Sequence, residues 1–218
     1  RQYNPGTQPF LKVNRNGERF ANESCPYNDI VYAAAHQPGR VYAQICDANI
    51  LEDVKRFHTI GCSAQTRNAG EDYIKKQMEN AETEGCFFKA DTIEELAALL
   101  DVPADELQKT IDRYNELCDQ GTDADFGKKS AYMHKIEKAP FWGVRKHIRV
   151  SSIDSGVNTN ANGQALDADG KVIEGLYCVG NVGGVFYGGA DYPFHQTGLS
   201  LGRCYTFGML AAKHAMGK

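Results

Sequence analysis

The sequence Gly175-Leu176-Tyr177-Cys178-Val179-Gly180-Asn181 is followed, after a glycine-rich stretch, by Thr197-Gly198-Leu199-Ser200-Leu201-Gly202. The first run is apolar and ends in glycine, which reads as a buried strand leaving a sheet. The second opens a long helix over 199–216, in which Leu201, Tyr205, Met209 and Ala212 recur at helical spacing. The first amides of a helix lack partners inside it, and the helix dipole places partial positive charge there. A strand, a glycine loop and a helix start in that order therefore form an anion or polar-ring site, where a ligand carbonyl gaining electron density would be stabilised. Nine of the 22 glycines fall in the 34 residues from Gly175 to Gly208, so backbone is laid bare where a ligand would approach.

Upstream the pattern is mixed. Phe10 to Val13 alternates apolar and polar residues, Asn14-Arg15-Asn16-Gly17 supplies a turn, and Glu18-Arg19-Phe20-Ala21 resumes beyond it, which predicts a hairpin. A helix is expected around Glu71 to Ala81. Thr92 and Glu95 form a capping box, after which Ile93, Leu96, Ala97 and Leu100 share one apolar face. Pro103 suits the first turn of a second helix, where Leu107, Ile111, Tyr114 and Cys118 repeat until Gly121. Residues 141–150 have strand character, 156–160 repeat it, and Asp167-Ala168-Asp169-Gly170 is a turn. Lys128-Lys129 reads as a solvated loop, and His134 as a solvated residue that precedes the strand region.

Composition sets the outer bounds. The 218 residues carry 24 basic and 28 acidic side chains, a formal charge of −4, which argues against nucleic acid as a partner. No stretch approaches the roughly 20 apolar residues of a membrane-spanning helix. The chain reads as soluble, and cytoplasmic and exported locations both remain open. Seven scattered cysteines without Cys-x-x-Cys spacing fit reduced, buried thiols better than metal ligands or a disulfide framework.

The order Gly-Leu-Tyr-x-x-Gly-Asn (175–181), glycine loop, Gly-Leu-Ser-Leu-Gly (198–202) and Thr-Phe-Gly-x-x-Ala-Ala (206–212) resembles the C-terminal part of the FAD-dependent fumarate reductase and succinate dehydrogenase flavoproteins. That family includes urocanate reductases and 3-ketosteroid dehydrogenases. The run 13–23, Val-Asn-Arg-Asn-Gly-Glu-Arg-Phe-Ala-Asn-Glu, looks like the way into the family's capping domain, and 92–127 is similar to the helical part of that cap. The resemblance implies an α+β fold in three parts: a strand and hairpin from the FAD domain (1–23), a capping, substrate-covering domain (24–145), and the strand-loop-helix part of a split α/β FAD-binding domain (146–218). The N-terminal Rossmann half, with its Gly-x-Gly-x-x-Gly turn, is absent from this sequence. The chain is therefore expected to be a fragment of a larger flavoprotein, and alone to bind FAD poorly or not at all.

Site residues follow from the resemblance. Gly180 and Asn181 match the family's contact to the FAD ribityl and ribose hydroxyls, and Gly198, Leu199, Ser200 and Leu201 match the helix opening whose amides meet the flavin pyrimidine edge. Departures from the fumarate reductases bear on substrate. Tyr27 stands where the family's proton-path arginine would be, and His195 where an arginine would bind a substrate carboxylate. A small dicarboxylate is thus a poor fit. Tyr27, Tyr192 and His195 would form an aromatic, hydrogen-bonding pocket suited to an enone, an aryl acrylate or a steroid-like ring, with tyrosine or histidine moving the proton. The implied activity is hydride exchange between FAD and a carbonyl-activated C=C bond of a small molecule, with a haem or other carrier as electron partner. The alternative is a non-catalytic remnant or interaction module without FAD.

Overall fold

In the computed structural model, residues 8–57, 70–148, 156–184 and 198–217 are described. The chain divides into two units, 1–148 and 149–218.

The first unit is organised by strand alternation. β1 (Leu11–Asn14), β2 (Val41–Cys46), β3 (Phe88–Ala90) and β4 (Phe141–His147) form an antiparallel sheet in the order β1-β2-β4-β3. Leu11 pairs with Ile45, Ala43 with Arg145 and Phe88 with Gly143. Because side chains alternate, Leu11, Val13, Ala43 and Ile45 share one face. Against it lie α4 (Ile93–Leu100) and α5 (Ala104–Gln120), through Leu96, Ala97, Leu100, Leu107 and Ile111. Gly143 permits the close approach, since a Cβ there would stand 2.7 Å from a Leu100 methyl. Each fully buried leucine stabilises by about 1.5–3 kcal/mol of transfer free energy.

The opposite face carries Cys46, Trp142 and Val144 under α2 (Ile50–Arg56) and α3 (Glu71–Thr83), with Phe87 stacked on Trp142 at 5.1 Å. A third cluster holds α1 (Tyr27–Ala35) through Ile30 and Ala34 against Tyr42.

The expected hairpin is present in reduced form. Gly17 turns the chain at φ +82°, but the return side contributes only a Val13–Arg19 bridge. The capping box differs in one half: Thr92 accepts from the Glu95 amide, whereas the Glu95 carboxylate accepts from Asp91, one residue before the cap.

In the second unit, β5 (Gln164–Leu166) and β6 (Val172–Tyr177) pair across the Asp167–Gly170 turn, and α6 spans Leu199–Ala215. One sequence expectation is corrected here. The strand read as buried is exposed along Val172–Leu176, because among the described residues of this unit it pairs only with the short β5 and has no second layer over it. The helical spacing of Leu201, Tyr205 and Met209 is met in α6, where they face solvent at 68%, 80% and 54% exposed, while Arg203 and Ala211 are buried. No helix of the described residues is long and apolar enough to cross a membrane.

Candidate flavin-contact site and the buried charge network

After β6 the chain turns at Gly180, φ +69°, into a short helical turn over Gly180–Val182. Residues 182–184 then run beside 156–158: the Val157 amide donates to the Val182 carbonyl at 2.9 Å, and the Gly184 amide to the Val157 carbonyl at 3.0 Å. Asn181 ties this loop to α6, its Oδ1 accepting from Arg203 Nη2 at 2.6 Å. Asn160, Gly163, Cys178, Gly180, Gly183 and Arg203 are among the residues lining a cavity of about 220 Å³.

Gly198 begins α6 in the left-handed region at φ +84°, and no side chain caps the helix. Among the described residues, a Cβ at Gly198 or Gly202 would meet nothing within 4 Å. The uncapped helix opening leaves amides free for one edge of a planar, hydrogen-bonding ring such as the flavin of FAD.

Of the residues singled out in the sequence, Gly180 and Asn181 are brought to α6, and Gly198, Leu199, Ser200 and Leu201 form its first turn. Tyr27 opens α1 behind Pro26, and its side chain lies outside the described residues, as do Tyr192 and His195. Arg203 was not anticipated. Its signal was available, for it is the one charged residue between Leu199 and Ala212.

A second feature was missed altogether. Lys12, Arg19, Glu23, Asp123 and Lys128 form a charge network inside the first unit. The Arg19 guanidinium donates to both Glu23 oxygens at 2.8 and 2.9 Å, and to both Asp123 oxygens at 3.0 and 2.7 Å. It lies between the Tyr114 and Phe126 rings, at 5.1 and 4.9 Å. Lys128 is buried, donating to Tyr114 Oη at 2.7 Å with Glu23 at 3.5 Å, which corrects its reading as a solvated loop residue. Lys12 Nζ donates to the Gln8 and Phe10 carbonyls.

Charge states follow from these surroundings. Burial pulls Lys12 down to about 7, with Glu23 opposing. Burial alone would raise both carboxyls, but Lys128 and Arg19 hold Glu23 below its ordinary range. Arg19 and the amides of Lys128 and Phe126 hold Asp123 well below. Burial alone would lower Arg19, and its bonds to Glu23 and Asp123 push it well above its ordinary value.

Asp47, Asp53 and His134 also gather, with ligand atoms within 4.8 Å of one another. Asp47 accepts from the amides of Asn49, Glu137 and Lys138, while Asp53 pairs with His134 at 2.9 Å and Arg56 at 3.3 Å. The group straps the segment 133–138, which lacks strand or helix, to α2. His134 is thus hydrogen-bonded to Asp53 rather than merely solvated.

Known proteins show where these parts recur. The chain is 32% identical over 216 residues to the vinyl phenol reductase of Lactiplantibacillus plantarum, covering 96% of this chain and 43% of that protein. Its fold is similar to 3-ketosteroid delta1-dehydrogenase from Sterolibacterium denitrificans, with TM-score 0.70 and 25% identity over 100% of this chain and 40% of that one. It is also similar to the open conformation of a flavocytochrome c3 fumarate reductase, with TM-score 0.62 and 26% identity over 94% and 32% of the two chains. The chain thus spans less than half the length of each. The FAD binding domain family matches residues 6–192, from the strand that carries Lys12 into the glycine loop beyond Asn181. With this match across most of its length, the chain belongs to the FAD binding domain family of flavoproteins.

Proposed function

We propose that this chain is the substrate-covering and flavin-edge portion of an FAD-dependent oxidoreductase that reduces or forms a carbonyl-activated C=C bond. The observation that carries this reading is the joining of the Gly180–Asn181 loop to α6 through Arg203, on a helix that opens at Gly198 with no side-chain cap. Bound FAD would supply hydride exchange at N5. The helix opening would hold the pyrimidine edge of the flavin by its amides and dipole. Tyr27 or Tyr192 would carry the substrate proton, and His195 would orient or protonate the carbonyl side. An enone, aryl acrylate or steroid-like ring fits these aromatic groups better than a small dicarboxylate. Likeness to the 3-ketosteroid dehydrogenase over the whole chain favours the ring substrate.

The remaining part of the flavin domain would be supplied by further polypeptide. The exposed stripe Leu201, Tyr205, Met209 and the uncovered β6 support this, since an apolar face of that extent is normally covered. A haem or other carrier would exchange electrons with the flavin.

The test is a dye-linked assay of the full-length flavoprotein carrying this chain. Steroid-dependent dye reduction or acrylate-dependent dye oxidation supports the reading, and Tyr27→Phe or Tyr192→Phe is expected to lower turnover at least about tenfold. Absence of both activities in flavin-loaded protein refutes it. Tight stoichiometric FAD binding by the 218-residue chain alone would refute the need for a second half.

A further inference from the structure

We propose that the Arg19 guanidinium, clamped between Glu23 and Asp123, is the positioning group that sets where α1 begins and so where Tyr27 stands. The proposal rests on the reading of Tyr27 as a proton carrier.

The clamp is a built feature. Arg19 is 7% exposed and both carboxylates 0%, all four oxygens accept from the guanidinium, and an aromatic ring lies on either side. Asp123 also accepts from the amides of Asp125, Phe126 and Lys128, so it closes the loop after α5 onto the same arginine. Glu23 receives Lys128 Nζ and the Lys12 amide, each at 3.5 Å. The carboxylate is thereby referenced to the sheet, to α5 and to the loop after it.

Little slack separates that reference point from Tyr27, four residues on. The Asn22 side chain accepts from the Ser24 amide at 2.9 Å and hydroxyl at 2.5 Å, and its carbonyl from the Cys25 amide at 3.1 Å. Pro26 has a ring-restricted φ, and its carbonyl accepts the Asp29 and Ile30 amides that start the helix. A displacement of Glu23 is therefore passed along the backbone to Tyr27.

Stability alone does not account for the arrangement. Apolar residues of similar volume often serve a buried site as well as an ion pair does. What charge with a two-sided fork adds is a single geometry, and a catalytic group displaced by about 1 Å can lose roughly a hundredfold in rate.

The experiment uses the full-length, FAD-loaded flavoprotein with Asp123→Asn, Tyr27→Phe and the two combined. Asp123→Asn is expected to lower kcat about tenfold or more, with KM and the flavin spectrum retained. Combined with Tyr27→Phe, it should cost nothing beyond Tyr27→Phe alone, since no proton carrier is then left to position. Losses that add, or an unchanged kcat for Asp123→Asn, overturn the proposal. Unchanged turnover in Tyr27→Phe overturns the reading of Tyr27, and this proposal with it, by a separate signal. Arg19→Lys keeps the charge but not the fork, and serves if Asp123→Asn does not fold. With 3-fluorotyrosine at Tyr27, a moved ¹⁹F resonance in Arg19→Lys supports positioning, and an unmoved one overturns it.

Discussion

Gly156 and Gly184 touch backbone to backbone: a Cβ on Gly184 would stand 2.0 Å from the Gly156 nitrogen, and one on Gly156 would stand 2.2 Å from the Val182 carbonyl oxygen. The pairing of 156–158 with 182–184 therefore exists only because both positions lack side chains, and it holds the loop that carries Asn181.

Gly184→Ala should open that pairing and shift the Asn181 loop. The expected outcome in the full-length protein is flavin affinity weaker by at least about tenfold, or about 1.4 kcal/mol. Flavin released into the filtrate on serial dilution measures it, and wild-type retention would refute the proposed contact of Asn181 with flavin.

Glu23→Leu should leave Arg19, Lys12 and Lys128 buried against one remaining carboxylate. Removing one partner of a buried ion pair costs about 3–5 kcal/mol, which a urea titration would read as a lower midpoint. The pH dependence has a definite sign. Glu23 and Asp123 titrate below their ordinary range, so their stabilisation is present above about pH 4 and is lost as the pH falls through their depressed values. Loss of stability on acidification should be shallower in Glu23→Leu than in the parent.

Lys12 shifts stability in the same pH direction, but as a cost of burial rather than a gain. Burial lowers it to about 7, so the folded chain binds fewer protons there than the unfolded chain between about pH 7 and pH 10.5, and stability rises across that interval. Lys12→Met should therefore stabilise at pH 6, by about 2 kcal/mol, with the advantage shrinking towards pH 10. Urea midpoints at the two pH values decide it.

Thr92→Ala removes the hydroxyl that accepts the Glu95 amide at the start of α4. The expected cost is about 1 kcal/mol, seen as a lower thermal midpoint for the first unit. Glu95→Gln should cost less, because its carboxylate meets Asp91 at an exposed position.

Local rules reached far into this chain. The α4–α5 hairpin was legible because capping, apolar spacing and the terminal Gly121 all act within a few residues of one another. The helix opening at Gly198 was legible for a related reason, since the succession of strand and helix is a property of adjacent residues. The exposed faces of β6 and α6 were not, because apolar spacing says which residues share a face but not whether anything covers it.

The charge network lay further out of reach. Arg19 and Asp123 are 104 positions apart, and nothing near either one distinguishes a buried ion from a solvated one. From the order of residues alone came the family resemblance, the α4–α5 helix pair and the start of α6 at Gly198. Burial of Lys12, Lys128 and Arg19, the link from Asn181 to Arg203, and the Gly156–Gly184 contact were decided by tertiary structure. A desolvation cost and a Cβ collision exist only once distant segments have been brought together.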